Sequence, residues 1–201
     1  MRSPEALYLN QDPLSQIFKD IDAQVKVNLG RVLAAMRKHR VGSHHFASVS
    51  GYGHNDLGRD TLDRVFADVM QAEAAAVRVQ FVSGTHAIAC ALFGHLRPGD
   101  ELLAVAGKPY DTLEEVIGLR GNHQGSLKDF GITYRELSLT PEGNLDWDAL
   151  ANGIGDRTRM VLIQRSCGYS WRRSLAIKEI EKIITLVKQQ KSDVICFVDN
   201  C

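Results

Sequence analysis

The sequence has no excess of either charge and no long apolar run. Its 201 residues contain 24 Lys and Arg and 24 Asp and Glu, so the formal net charge is zero. Nucleic-acid and membrane-surface proteins usually carry a basic excess, and this composition gives neither class any support. No stretch approaches the ~20 apolar residues of a membrane span, and the first residues lack the apolar core of a signal peptide. These absences favour a cytoplasmic globular protein.

Several short motifs are absent as well. The four cysteines include no C-x-x-C pair, which favours free, buried thiols over a disulfide framework. Neither G-x-x-x-x-G-K-[ST] nor G-x-G-x-x-G occurs, and this counts against a Rossmann-like nucleotide-binding enzyme, one of the alternative functions. His44, His45 and His54 lie close in sequence but without helical spacing or a carboxylate pattern, so we expect surface histidines and no metal site.

The hydrophobic pattern predicts an α/β fold: a doubly wound, mostly parallel sheet preceded by an N-terminal helical segment. Residues 1–72 form that helical segment with its Gly-rich loop, and residues 73–201 form the front part of a large α/β domain. Apolar residues at helical spacing follow Asp12-Pro13 as far as Arg40, and a second helix begins near Asp60. Beyond them, strands are expected at about 76–82, 101–106, 132–136, 159–164 and 193–198, with helices at about 85–95, 112–120, 146–151 and 176–189.

The end of the chain is informative. The apolar run that starts at Asp193 reaches an acidic residue, Asp199, and the sequence stops two residues later. In parallel α/β proteins, ligands bind outside the carboxyl ends of the strands. We therefore expect a chain that stops in mid-fold, whose function belongs to a longer protein.

The sharpest local signal lies at Ser83-Gly84-Thr85, between the predicted strand ending at Val82 and the helix that follows. Free backbone N–H groups, the positive end of the helix dipole and a glycine that permits close approach together make an anion site. The hydroxyls of Ser83 and Thr85 can supplement it. The alternative is that both residues merely cap the helix.

Three further strand ends carry polar or aromatic groups. Tyr110 follows one strand and could stack on a flat ring, although a packing role is the alternative. The stretch from Gln164 to Arg173 gathers polar groups and arginines that suit an anionic or ring-bearing ligand, although these arginines could equally be solvated. Asp199 ends the last strand. Together the four strand ends predict a site for a phosphorylated aromatic cofactor whose ring nitrogen must be held protonated.

These residues carry a resemblance to a known family. The chain resembles the fold-type I pyridoxal-phosphate enzymes, and within them the methionine gamma-lyase family, also called aluminium resistance proteins. The resemblance spans nearly the whole chain, in the family's order. The segments that carry it are Phe46–Asp60, Phe81–Ala87, Lys108–Gly118, Gln164–Trp171 and Phe197–Cys201.

The resemblance implies a cofactor, pyridoxal 5'-phosphate, and a role for each matching residue. Ser83, Gly84 and Thr85 would hold the phosphate, Tyr110 would stack on the pyridine ring, and Asp199 would pair with the pyridinium nitrogen. Residues implied with less detail are Tyr52 and Arg59, which match a segment that reaches the phosphate in a neighbouring subunit, and Ser166 and Tyr169, which would line the ring or the substrate.

One catalytic part is expected beyond Cys201. In this family the lysine that binds the cofactor as a Schiff base follows the strand of the Asp199 equivalent, and no catalytic residue can be assigned here. The lysines that precede Asp199 lie on the wrong side of it: Lys178, Lys182, Lys188 and Lys191. We expect this chain alone to be inactive.

For the complete protein, the resemblance implies amino-acid metabolism: a carbon–sulfur lyase acting on a sulfur-containing amino acid, in a homodimer or homotetramer. The alternative is a non-catalytic truncated product or fragment that at most binds the cofactor weakly.

Overall fold

A computed structural model describes residues 13–49, 56–122 and 124–200. The chain divides into two compact units, the first ending at Gln80 and the second beginning at Phe81. The first unit is helical, and the second contains every β-strand of the described residues.

In the first unit, α1 (Pro13–Lys38) and α2 (Leu57–Met70) are connected through a 3-10 helix at Ser43–Phe46. Asp56 caps α2, because its carboxylate accepts a hydrogen bond from the backbone N–H of Arg59 at 3.0 Å. The carboxylate of Asp68 on α2 binds Lys38 Nζ at 2.9 Å and His39 Nε2 at 2.6 Å, and these contacts join α2 to the end of α1. Within the described part of the chain, no helix is both long and apolar enough to cross a membrane.

The apolar face of α1 is only partly covered. Its side chains are about half exposed at Leu14, Ile17, Phe18, Ile21 and Val25. The helical spacing of these residues was predicted correctly, but burial begins only at Ala35, which is 5% exposed.

The second unit alternates helices with strands. In chain order it contains α3 (Gly84–His95), β1 (Glu101–Ala104), α4 (Asp111–Ile117), β2 (Thr133–Glu136), α5 (Trp147–Gly153), β3 (Thr158–Gln164), α6 (Ile177–Gln190) and β4 (Ile195–Asp199). The strand order is β2-β1-β3-β4, and every pairing is parallel. The predicted α/β fold with a parallel sheet is confirmed.

The strand register brings the carboxyl ends of the strands to one edge. Ala104 at the end of β1 pairs with Glu136 at the end of β2 and with Leu162 of β3. Gln164 and Asp199, the last residues of β3 and β4, are partners. The segments that follow β1, β3 and β4 therefore start side by side.

The central strands β1 and β3 are buried on both faces of the sheet, to which the side chains of successive strand residues point alternately. On one face Val161 and Ile163 of β3 pack with Ile183 and Val187 of α6. On the other face Leu162 packs in a cluster that includes residues of α3 and α4. These side chains are between 0% and 1% exposed. Helices on both faces explain why the strands read as apolar runs.

Two expectations were wrong. Residues 76–82 form no strand, because none of the described strands pairs with them, and an apolar segment without a ladder partner stays irregular. Val79 and Val82 are accordingly 90% and 82% exposed. Helical spacing also predicts that the last helix buries Ile177, Ile180, Ile184 and Val187. Ile177 is instead 65% exposed, because the buried face of α6 runs through Ile180, Ile183 and Val187.

Replacing Ile183 with Ala tests the packing of α6 on the sheet. Ile183 is 0% exposed, so the substitution should lower the free energy of unfolding by about 2–5 kcal/mol. Ile177→Ala on the same helix is the matched control and should change it by less than about 0.5 kcal/mol. Urea unfolding followed by circular dichroism measures both, and equal losses would contradict the assigned face.

Candidate active site

The start of α3 carries the predicted anion-binding residues. Ser83 caps the helix, with its Oγ accepting a hydrogen bond from the backbone N–H of His86 at 3.0 Å. Ser83 therefore caps the helix, and this hydrogen bond leaves its hydroxyl hydrogen available to a ligand. A Cβ added at Gly84 would meet no atom within 4 Å, so the backbone there is open to an approaching group. A 12-residue helix adds the positive end of its dipole.

A contact between two threonines connects this helix start to the next strand end. Thr85 Oγ1 lies 2.7 Å from Oγ1 of Thr112, the second residue of α4. Because Tyr110 immediately precedes α4, this contact brings the anion-binding segment close to the predicted stacking residue. The residue predicted to bind phosphate and the residue predicted to stack on the ring therefore lie close together.

Tyr110 is held from three sides. Its backbone N–H donates to Oε1 of Gln164 at 2.7 Å, and its ring stacks on that of Tyr169 with centroids 5.6 Å apart and planes 25° apart. Gly168 has a left-handed φ of 56° and lies against the ring, since a Cβ there would come within 3.0 Å of Tyr110 Cδ2. The contact with Tyr169 shows that the Tyr110 ring can stack on a flat ring.

Gln164 begins a stretch that the sequence marked as polar, but it was assigned no role of its own. Its side chain is 5% exposed at the carboxyl end of β3, and its Nε2 donates to the carbonyl of Ser166 at 3.3 Å. The available signal was a polar residue directly after the apolar run of β3. A buried polar side chain at a strand end must find partners, and such partners usually lie in the adjoining loops.

Asp199 lies where the sequence predicted it. It ends β4, is 9% exposed and pairs with Gln164 in the ladder. Its backbone carbonyl accepts a hydrogen bond from the N–H of Arg165 at 2.9 Å, which fixes the strand end beside the loop after β3. The described structure thus gathers Thr85, Tyr110 and Asp199 onto one rim of the second unit.

Arg172 and Arg173, two of the three arginines in the stretch after β3, form hydrogen bonds within the protein. Arg172 donates through Nη2 to the carbonyls of Gln164, at 3.0 Å, and Ser166. Burial lowers the pKa of Arg172, and the nearby thiol of Cys167 opposes that shift. Arg173 forms a paired salt bridge with Glu179 at the start of α6, with nitrogen–oxygen distances of 2.7 Å and 2.5 Å. Both guanidinium groups therefore shape the loop after β3.

The other predicted residues lie in different surroundings. Ser166 is half-buried, whereas Tyr169 is 83% exposed apart from its stacking on Tyr110. Arg59 belongs to the first unit, where its Nε lies 3.4 Å from the carboxylate of Asp56. Tyr52 and the histidine at position 54 lie outside the described residues. The described cysteines are free, as expected, but Cys90 is exposed rather than buried.

A cavity of about 150 Å³ opens beside Tyr110. Its lining includes Gln164, Cys167, Tyr169 and Asp111. Asp111 Oδ1 is buried without a hydrogen-bond partner among the described residues. An unsatisfied buried oxygen costs about 1–3 kcal/mol, and native structures tolerate few such groups.

A larger cavity of about 520 Å³ lies in the first unit, among residues that include Val32, Met36, Leu62 and Phe66. Its lining is mainly apolar and lacks the arrangement of an anion cradle, an aromatic ring and a strand-end carboxylate. The candidate active site is therefore assigned to the smaller cavity and its rim, on the chemistry of the residues.

Comparison with known proteins agrees with this arrangement. A family model described as methionine gamma-lyase matches residues 5–201. The chain belongs to the methionine gamma-lyase family. It is 51% identical over 189 residues to the uncharacterized protein YnbB of Bacillus subtilis, an alignment that covers 94% of this chain and 45% of YnbB.

Two solved structures extend the comparison. A carbon–sulfur lyase involved in aluminum resistance from Clostridium novyi is 42% identical, with a TM-score of 0.89 over 99% of this chain and 48% of its own. A Campylobacter jejuni structure carrying N'-pyridoxyl-lysine-5'-monophosphate at position 205 is 27% identical, with a TM-score of 0.51 over 72% of this chain and 30% of its own. The chain spans about half the length of YnbB and of the Clostridium protein.

Replacing Gly168 with Ala tests the packing around Tyr110. The left-handed φ alone should cost about 1–2 kcal/mol of stability, and the added methyl group must also displace the Tyr110 ring. Gly125→Ala is the matched control, because Gly125 has a φ of 72° with no atom within 4 Å of an added Cβ. Near-ultraviolet circular dichroism should change for Gly168→Ala only. Identical spectra for both variants would contradict the assigned contact.

Proposed function

We propose that this chain forms the cofactor-binding part of a pyridoxal-phosphate-dependent carbon–sulfur lyase that acts on a sulfur-containing amino acid. The observation that carries the proposal is the gathering of an anion cradle, a stacking ring and a buried carboxylate at one edge of a parallel sheet. Membership of the methionine gamma-lyase family supports it.

The start of α3 suits the phosphate. The Ser83 hydroxyl, the open backbone at Gly84 and the Thr85 hydroxyl supply hydrogen-bond donors at a helix N-terminus, where anions are stabilised. The carboxylate of Asp199 suits a protonated ring nitrogen, because it ends β4 in a buried position. Tyr110, which lies between the phosphate-binding residues and Asp199 in the sequence, supplies a face on which the ring can stack. The residues present therefore fit the chemistry of the cofactor.

The cofactor, when bound, supplies an electron sink that stabilises the negative charge left on the substrate's α-carbon after proton removal. The residues of this chain would hold the cofactor in place. Asp199 would keep the ring nitrogen protonated, Tyr110 would fix the plane of the ring, and Ser83 and Thr85 would anchor the phosphate. The overall reaction converts the amino acid and water into a thiol, a 2-oxo acid and ammonia.

Lys188 and Lys191 lie at the opposite edge of the sheet, where β3 and β4 begin. Lys188 Nζ donates to the carbonyl of Val194, which precedes β4, at 2.7 Å. Lys191 Nζ donates to the carbonyl of Thr158 at the start of β3 at 3.1 Å. Lys182 lies over the ring of Trp147, 3.9 Å from its centroid. Lys108 does lie at the carboxyl edge, but its ammonium pairs with Glu114 at 2.7 Å.

The lysine expected from the family would then lie in sequence outside this chain. The proposal is supported by the chain's spanning about half of its relatives' length. A homodimeric or homotetrameric assembly belongs to the same proposal, with Tyr52 and Arg59 directed at the phosphate of a neighbouring subunit. A cytoplasmic location also stays a prediction.

Activity tests the proposal directly. The protein expressed from its full open reading frame, with pyridoxal 5'-phosphate, should release thiol, 2-oxo acid and ammonia in equal amounts from L-methionine or L-cystathionine. Asp199→Asn should lower kcat/KM at least about 100-fold, because a neutral amide cannot stabilise the protonated ring nitrogen. Lys108→Met is the control and should retain activity. A protein that binds the cofactor but releases no thiol from any sulfur-containing amino acid would contradict the proposed reaction.

Replacing Thr85 with Val tests the phosphate site. The change removes one hydroxyl while keeping the side chain's shape, and a hydrogen bond to a charged group contributes about 1.5–3 kcal/mol. Affinity for pyridoxal 5'-phosphate should fall roughly 10- to 100-fold, whereas affinity for pyridoxal, which lacks the phosphate, should not change. Fluorescence titration measures both. Thr185→Val, an exposed position on α6, is the control.

An equal loss of affinity for the two ligands in Thr85→Val would place the phosphate elsewhere. A loss in Thr185→Val as large as that in Thr85→Val would show that the effect is not local to the start of α3.

A further inference from the structure

We propose that Gln164 is the positioning residue of this site, which sets the Tyr110 ring relative to the Asp199 carboxylate so that a pyridine ring fits against both. The inference rests on the proposed function, and nothing in the family resemblance assigned Gln164 a role. Three segments meet at this residue: the end of β3, to which it belongs, the segment before α4, which its side chain contacts, and the end of β4, with which it pairs.

The Gln164 side chain is bonded to the backbone of Tyr110. The Gln164 side chain reaches a residue 54 positions earlier in the chain and accepts its backbone N–H at 2.7 Å. The bond is made to the backbone of Tyr110, so it fixes the point from which the ring projects. Loss of this acceptor would therefore remove the bond that ties the Tyr110 backbone to the end of β3.

Gln164 is also paired with Asp199 in the sheet. Gln164 and Asp199 are ladder partners at the ends of β3 and β4, so the distance between them is set by the spacing of neighbouring strands, about 4.8 Å. Arg165 extends this coupling, since its N–H donates to the Asp199 carbonyl at 2.9 Å. Gln164 is therefore linked to Tyr110 through its side chain and to Asp199 through the strand pairing.

The two neighbours of the Gln164 side chain favour an amide at this position. Gln164 faces a backbone N–H on one side and the Ser166 carbonyl on the other. An amide satisfies both, because it carries an acceptor and a donor, and these two neighbours fix which end is which. A carboxylate would satisfy Tyr110 and repel the Ser166 carbonyl, and an apolar side chain would satisfy neither. The position therefore requires glutamine on physical grounds.

Two substitutions separate these contacts. Gln164→Met removes both hydrogen bonds at similar volume, and Gln164→Glu keeps the acceptor for Tyr110 while losing the donor to Ser166. A displaced ring should weaken binding of pyridoxal 5'-phosphate and of pyridoxal by the same factor, roughly tenfold for Gln164→Met and less for Gln164→Glu. The phosphate contacts at α3 contribute equally in all three proteins, so the ratio of the two affinities should stay at the wild-type value.

The decisive readout is the induced circular dichroism of the bound cofactor at full occupancy, measured on the protein from the full open reading frame. This signal reports the orientation of the ring in its asymmetric surroundings, so it should change in Gln164→Met and be largely restored in Gln164→Glu. A purely structural role would lower thermal stability and leave the signal of the occupied site unchanged.

Thr158→Val provides the matched structural control. Thr158 is 0% exposed at the opposite end of the same strand, where its hydroxyl donates to Glu101 at 2.7 Å. This variant should lower the melting temperature without altering either affinity or the induced signal. If Gln164→Met behaves like Thr158→Val, the inference is overturned. If the wild-type protein binds neither ligand, the proposed function fails first, and the two failures are thereby distinguished.

Discussion

The parallel pairing of β3 with its neighbours is the constraint on which the site depends. β3 lies between β1 and β4 and is buried along almost its whole length. Because the pairing is in register to the last residues, the loops that leave β1, β3 and β4 begin at one edge. This pairing brings together residues far apart in sequence, such as Tyr110 and Gln164, which are joined by a hydrogen bond across 54 positions.

Helix placement completes this arrangement. In a parallel sheet each crossover helix runs antiparallel to the strands, so helices begin at the edge where strands end. The start of α3 therefore lies beside the start of α4, as the Thr85–Thr112 contact shows. The fold thus places a helix dipole, an aromatic ring and a carboxylate on one rim, and these groups differ in the chemistry that each can bind. Membership of the methionine gamma-lyase family is consistent with this division of tasks.

Much of this could be predicted from the sequence, because the strongest signals are local. The apolar runs of β1, β3 and β4 and the Ser83-Gly84-Thr85 turn each carry their own pattern, and the order of elements then gives the parallel topology. The segment at 76–82 could not be predicted correctly, since its apolar residues resemble a strand whether or not a neighbouring strand pairs with them. The role of Gln164 could not be predicted for a related reason. Its partner Tyr110 lies 54 residues away, and only the folded structure shows that contact.

The proposed function requires that the carboxyl edge of this sheet holds pyridoxal 5'-phosphate. A crystal structure of the protein expressed from its full open reading frame, grown with the cofactor, tests this directly. We expect the phosphate within hydrogen-bond distance of the backbone at Gly84 and Thr85, the ring against Tyr110 and the ring nitrogen beside Asp199. Cofactor density in the apolar cavity of the first unit, or none at saturating concentration, would contradict it.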